Sequence, residues 1–581
     1  MPPTTGRKQK VIDLSQDGFH LLPHDAHDIS TVAHESTPVS GPPPNRSRRS
    51  RWWLGVALAY ALLRALPSLS YPIGRDQSTY LVIARGLAGG AKLYRDLWDM
   101  KPPGIFWAYM PIVKAFGAAM WSIGAMDILW LVLMCVCVYR FAERTVGTGA
   151  AVVAVAVEAA MHCGAGYNNA VQPETFLILF VFAAWFQVAG ARPSLVHRFA
   201  GGLLFGAAFW FKYNALAFLP LLLLVPHLDP AAVNARPFRL GGLRLRIPWR
   251  GWLGSAAAFL GGFAATVAGV LGYFGASGLW TTLWESHYAM VPRYGASPWR
   301  LNPDYWVEPI VGTIHHLGVV TLAAPLAALV VARRRSETDR VLPAVAGAAL
   351  AYASVAMLVR FLPSAFEACY PFFAVAWGYL AVRGFEAGAA AWRGWKSRRQ
   401  GGARSFLWVA VAAAALWPVA SEGRRTIEGY RELVQWSRQG DGFYLNYPNE
   451  FPKEHLRDQM RTIRLLEQEK APGDQLYVWG FYPLIYYLAG MSPPTRFVPV
   501  FPLIAAWGPP EWREELMRDL QKSPPRFMVV ARNDPMPRVA MTDMDSEQYL
   551  RAFPELNAFV SANYREEASF PDFIVYRFVI R

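Results

Sequence analysis

Long apolar runs broken by short polar segments fill residues 52–420. Residues 251–284 carry no charged side chain at all; roughly 20 apolar residues suffice to cross a bilayer as a helix. Taken in order, the runs predict eleven spans, at about 52–70, 122–141, 148–164, 174–190, 199–212, 213–226, 252–276, 308–332, 341–361, 370–388 and 405–420. The stretch 103–117 is also apolar, but Lys114 and its flanking Gly and Pro residues predict an interfacial helix. From about 421 the pattern changes. Amphipathic helical stretches such as Glu454 to Lys470 are followed by short β-type runs, Gln475–Trp479, Arg526–Val530 and Phe573–Arg577. Strands alternating with helices predict a small α/β domain over 421–581. The first 51 residues are polar, rich in Pro and Ser, and end in Arg46, Arg48, Arg49 and Arg51. They predict a disordered tail ahead of an uncleaved first helix.

Composition agrees with a polytopic membrane protein: 54% of the 581 residues are hydrophobic and 17% are charged. The net charge of +15 invites a nucleic-acid reading. The distribution of the arginines argues against it, because they fall in short clusters between apolar runs, as in cytoplasmic loops. If the basic N-terminus is inside, the even-numbered connections are also inside. They carry Arg140 and Arg144, Arg192 and Arg198, the 227–251 arginines, Arg333 to Arg335 with Arg340, and Arg393 to Arg404. The odd-numbered connections hold Asp76, Asp96, Asp99, Glu174, Glu285, Asp304, Glu308 and Glu367. The alternation predicts a cytoplasmic N-terminus, an extracytoplasmic C-terminal domain and a site in the cell membrane. Four cysteines are too few for a disulfide framework. Cys163 and Cys369 lie near predicted outer helix ends, where a pair is conceivable, but two unpaired small residues is the simpler reading.

The acids and bases of the odd-numbered connections converge on one face. Asp76 follows the first span directly, and Lys101 belongs to the same loop, 71–121. Glu174 opens the fourth span, Lys212 sits between spans five and six, and Arg360 and Tyr370 bracket the turn after span nine. A basic group there can hold a lipid-linked phosphate while a carboxylate deprotonates an attacking hydroxyl. Each residue also has a plainer reading. Asp76 can pair with Arg75, Glu174 can complement a helix dipole, and Lys101, Lys212 and Arg360 can snorkel. Arg64 lies inside span one, where a charge must pair or reach the surface. Asp99 with His287 is a weak metal pair, because no His/Cys/carboxylate set has metal-ligand spacing.

The chain resembles the C-type membrane glycosyltransferases of the family containing protein O-mannosyltransferases and the aminoarabinose transferases of lipid A. The resemblance rests on Asp76 and Tyr80 after span one, on Trp98-Asp99-Met100-Lys101-Pro102-Pro103-Gly104, and on Gln172-Pro173-Glu174-Thr175. The Arg360–Tyr370 turn adds to it. So do Tyr477-Val478-Trp479-Gly480, Ile485 to Gly490 and Thr495-Arg496-Phe497 in the tail. It implies Asp76 as the catalytic acid of the first loop, Glu174 as a second acidic site and Lys101 as a phosphate contact. Lys212, Arg360, Tyr370, Tyr80 and Arg64 are further candidates for substrate or phosphate binding. Two departures stand out. The family often has two acids in a row after span one, where this chain has Asp76-Gln77. Many relatives carry His-Tyr where it has Cys369-Tyr370.

The resulting expectation is a mainly α, polytopic helix bundle. Residues 52–420 form the transferase domain, 421–581 an extracytoplasmic α/β domain and 1–51 a cytoplasmic tail. The reaction moves a sugar from a polyprenyl-phosphate donor to an acceptor hydroxyl on protein, lipid or polysaccharide, with inversion. No cofactor is required, and a divalent metal is left open. No nucleic-acid partner is expected. The rivals are a transporter or flippase, which predicts charges at mid-membrane and broken helices, and a membrane-anchored binding protein with an expendable first loop.

Overall fold

A computed structural model describes residues 46–189, 194–224, 237–240, 243–246, 249–295, 304–332, 335–358, 361–396, 423–448 and 454–579. Arg360, the predicted span at 405–420 and the tail before 46 lie outside these. The predicted apolar runs are helices: α1 (Arg46–Ala65), α4 (Ser122–Thr145), α5 (Thr148–Gly164), α6 (Pro173–Val188), α7 (Leu195–Phe211), α8 (Leu219–Leu224) and α9 (Trp249–Ala276). The first loop supplies α2 (Arg75–Ala88) and α3 (Gly104–Phe116). Short α10 (Trp280–Trp284) and α11 (Val291–Gly295) flank a π-helical turn, Glu285–Met290. Then come α12 (Asp304–Leu317), α13 (Val319–Val331), α14 (Arg335–Met357) and α15 (Tyr370–Lys396).

Among the described residues, four segments are long and apolar enough to cross a membrane: Arg48–Ser70, Ser122–Thr145, Gly251–Ala276 and Glu337–Met357. Six shorter apolar helices accompany them. The run read as one span over 308–332 is two helices. Gly318 breaks it with φ 73°, a conformation that glycine adopts without steric cost.

The C-terminal residues form α16 (Gly423–Gln439), α17 (Leu456–Glu469) and a mixed four-stranded sheet in the order β3-β4-β6-β5. A separate hairpin pairs β1 (Pro237–Leu240) with β2 (Leu243–Arg246). In the sheet, β3 (Leu476–Trp479) runs parallel to β4 (Phe527–Ala531), and β6 (Phe573–Phe578) is antiparallel to β4 and to β5 (Tyr564–Ser569). The parallel pair β3 and β4 is buried throughout, which explains why both read as continuous apolar runs. The edge strand β5, with sequence YREEAS, is charged and was not anticipated. Charge on an edge blocks further strand pairing.

The tail is stitched to the first loop. Arg85, in the last turn of α2, donates to the carbonyls of Tyr486, Tyr487 and Met491 at 2.8–3.1 Å. The backbone N–H of Trp98 donates to Arg496 O at 2.8 Å. Arg496 in turn pairs with Glu515 (2.7 Å) and Glu285 (3.4 Å). Trp512 donates its indole N–H to Glu285 at 2.7 Å, and Trp98 donates its own to Ser286 at 3.0 Å. One buried arginine thus clamps three distant segments.

Candidate active site

A cavity of about 1240 Å³ lies among α2, α5, α6, the C-terminal end of α7 and the tail. Its lining includes Asp76, Lys101, Glu174, Lys212 and Tyr370 together. Two glycines permit this convergence. A side chain at Gly74 would collide with Asn168 Oδ1 at 2.1 Å, so Asn168 would have to move for the start of α2 to lie against the 167–170 turn. A Cβ at Gly104 would meet the Trp210 carbonyl at 2.7 Å. The glycine of Lys-Pro-Pro-Gly therefore brings the first loop onto the end of α7, next to Lys212.

Asp76 stands in the first turn of α2, where the helix dipole favours a negative charge. Its Oδ1 lies 3.4 Å from Lys101 Nζ, and Lys101 is also 3.9 Å from Asp99. Burial works against the lysine's charge, but the Asp76 and Asp99 carboxylates outweigh it and hold its pKa above the ordinary value. The ammonium also sits 5.0 Å from the centre of the Tyr80 ring. Tyr80 is buried, and its hydroxyl donates to Gln172 at 3.1 Å.

Glu174 occupies the first turn of α6 and is ion-paired with Lys212, which caps α7. Its other carboxylate oxygen is buried, with no hydrogen-bond partner among the described residues. The preceding turn is strained: Val171, a β-branched residue, has φ 43°. Its N–H donates to Asp127 (3.3 Å), and its carbonyl accepts from Tyr109 (3.0 Å). Strain held this firmly beside a cavity is a mark of a functional site.

The departure at Gln77 has a physical reason. Its buried amide donates to the carbonyls of Tyr167 (2.8 Å) and Ala170 (3.0 Å). An ionised carboxylate has no hydrogen to give there. Cys369 is buried, and all four cysteines are free. Tyr370 begins α15 and lines the cavity. Arg64 is buried in the last turn of α1 and is not among the residues lining the cavity.

Asp99 and His287, the weak metal pair of the sequence, each have a protein partner. Asp99 accepts the Lys101 backbone N–H at 2.9 Å, and burial raises its pKa against the pull of Lys101. His287 Nε2 lies 2.8 Å from the Tyr94 hydroxyl, which itself donates to Lys101 O at 2.8 Å. Burial lowers the His287 pKa to about 3, so the neutral ring donates its Nε2 proton to Tyr94. Among the described residues, no three His, Cys, Asp or Glu side chains are grouped as metal ligands.

Several residues of the site went unnoticed in the sequence. Arg75 does not bond Asp76; its Nε lies 3.4 Å from Glu454 in the tail, its Nη2 donates to Tyr482, and its guanidinium sits over that ring. Glu454, Asn168, Asn169 and Asn214 also line the cavity. Below it, His162 bridges Glu367 (2.9 Å) and Asp127 (3.2 Å), tying α4 and α5 to the turn before Tyr370. Nothing local marks these residues, because their partners come from remote parts of the chain.

An acid and a lysine from the first loop meet in one cavity of a helix bundle that carries an α/β cap. Residues 100–241 match the family model described as dolichyl-phosphate-mannose-protein mannosyltransferase. That segment, 142 of the 581 residues, resembles the family. The matched segment holds Lys101, Glu174 and Lys212, while Asp76 precedes it. The fold is shared with ArnT from Cupriavidus metallidurans bound to undecaprenyl phosphate: 15% identity, 92% of this chain and 98% of that one, TM-score 0.54. The apo form of the same protein gives 16% identity, 91% and 98% coverage and a TM-score of 0.51. An Archaeoglobus fulgidus oligosaccharyltransferase is more distant, with 13% identity, 84% and 70% coverage and a TM-score of 0.44. No curated protein matches the chain in sequence.

Proposed function

We propose that the protein transfers a sugar from a polyprenyl-phosphate donor to an acceptor hydroxyl, with Asp76 as general base. The observation that carries this is the Asp76–Lys101 pair: a solvent-reachable carboxylate 3.4 Å from an ammonium, on the wall of a cavity large enough for a sugar phosphate. The neighbouring fold that holds undecaprenyl phosphate supports the donor class. The donor phosphate takes Lys101 as its counter-ion, with Lys212 nearby, which frees Asp76 to face the acceptor. The acceptor oxygen bonds to the anomeric carbon as its proton passes to Asp76. The bond from that carbon to the phosphate oxygen breaks, its electron pair stays on the phosphate, and the configuration inverts. Charge grows on the leaving phosphate, so Lys101 acts most strongly in the transition state. The acceptor is a hydroxyl of a protein, lipid or polysaccharide that enters beneath the tail. Glu454, on the tail side of the cavity, is the group it meets there.

In this reading the protein lies in the cell membrane with eleven spans over 52–420. Residues 1–51 are cytoplasmic, and 421–581 form an extracytoplasmic domain over the active face. A reporter fused after Arg581 is active outside the cytoplasm, and one placed between 236 and 250 is active inside. The opposite result at either position removes the topology. For the chemistry, purified protein is given a synthetic polyprenyl-phosphate sugar and transfer is followed by mass. Failure to consume any such donor, with the protein folded, overturns the reading.

A further inference from the structure

We propose that α16 is a docking strip for anionic lipid headgroups at the membrane surface. Its outward side reads Arg424, Ile427, Arg431, Val434, Arg438, alternating steps of three and four that keep one helical stripe. Ile427 and Val434 are 58% and 46% exposed. The inward side is anchored: Gly429 rests on Pro67, the Tyr430 hydroxyl donates to Leu63 O at 2.7 Å, and Glu432 is buried. Those contacts fix the height of the helix. Leu63 and Pro67 lie in the last turns of Arg48–Ser70, which is long and apolar enough to cross a membrane. Leu62 and Leu63 stand exposed beside α16, so its stripe continues the apolar flank of that segment.

The charges select the partner. Arg424 shares Glu428 at 2.8 Å, whereas Arg431 and Arg438 have no acidic partner among the described residues. Single aliphatic side chains between guanidiniums do not make the contiguous apolar patch of a protein interface. They suit a boundary where isoleucine and valine dip among acyl chains while arginine forks engage phosphates. An anionic phospholipid offers both at one level.

The full-length protein is reconstituted in nanodiscs of phosphatidylcholine, with or without phosphatidylglycerol. A fluorophore on Val434→Cys reports contact with lipid, and identically labelled wild type supplies the background of the native cysteines. The emission should shift to the blue in phosphatidylglycerol discs, and high salt should reverse the shift. Arg431→Gln with Arg438→Gln should weaken the preference about fivefold per arginine. Arg431→Lys with Arg438→Lys should keep it, which separates charge from folding. Transfer activity in neutral discs checks that each variant is folded. Emission that is water-like in both discs, or lipid-like in both whatever the charge, overturns the proposal.

Discussion

Two carboxylate–lysine pairs line the same cavity and behave differently. Asp76 and Glu174 each stand in the first turn of a helix, and each faces a lysine from the neighbouring segment. Glu174 is sealed, with 1% of its side chain exposed, and is in short contact with Lys212. Asp76 keeps 39% of its side chain exposed and stands 3.4 Å from Lys101. A sealed pair cannot release its carboxylate without leaving a buried charge, at a cost of about 3–5 kcal/mol. An open pair can exchange its partner for a phosphate. In the proposed reaction the same local chemistry serves as a scaffold at Glu174 and as a reagent at Asp76, and burial separates the two.

Asp76→Asn gives the sharpest test of that difference. It keeps the shape of the side chain and removes its basicity. Transfer should fall by roughly 10²–10⁴-fold, with donor affinity nearly unchanged, measured as turnover and donor binding in detergent. Normal turnover would take Asp76 out of the mechanism and leave Glu174 as the candidate base.

Lys101→Ala should lower turnover per bound donor by about 10²-fold and also weaken donor binding. A change in donor affinity alone would show that Lys101 binds ground state and transition state equally.

At the sealed pair the balance shifts from rate to stability. Lys212→Met alone leaves Glu174 buried without its partner and should lower the melting temperature clearly. Adding Glu174→Gln should restore most of the loss, because removing both charges removes the desolvation cost. Additive losses would mean that the two residues act independently.

The smallest effect concerns the support of the open pair. His287 is held neutral by burial, with its pKa lowered to about 3, while an unfolded histidine titrates near 6.5. Between those values the unfolded chain binds the extra proton, so this residue costs stability as pH falls from about 6.5 towards 3. His287→Gln should therefore flatten the decline of melting temperature between pH 7 and pH 5, by comparison with wild type. An unchanged slope would place the imidazole in water.

Much of the bundle was legible because lipid-facing helices are written as apolar runs. The convergence of Asp76, Lys101, Glu174 and Lys212 followed from placing acids and bases on one face. Alternation of loops could not see Gly318, which splits one expected span, since a single glycine hardly changes mean hydropathy. Nor could it see β5, whose charged YREEAS pattern belongs to a strand only because β6 lies beside it. Asp99 with His287 was only a weak metal pair on residue type, and the sequence could not show what bonds either side chain. The backbone N–H of Lys101 and the hydroxyl of Tyr94 engage them instead. The Arg75–Glu454 contact was hidden for a related reason: Arg75 has an acid next to it in sequence and another 3.4 Å away in space, and only the second is its partner.

The Arg496 clamp has a consequence for biogenesis. Arg496 and Tyr94, joined through the Tyr94 carbonyl, are 402 positions apart. A ribosome makes the reactive loop early and its fastener late. Until the tail has been made and has docked, Trp98 lacks its backbone partner, and the loop carrying Lys101 has only its contacts within the bundle. The nascent chain therefore passes through its synthesis with this loop unfastened from the tail. A chain stopped anywhere before Arg496 would lack this fastener altogether.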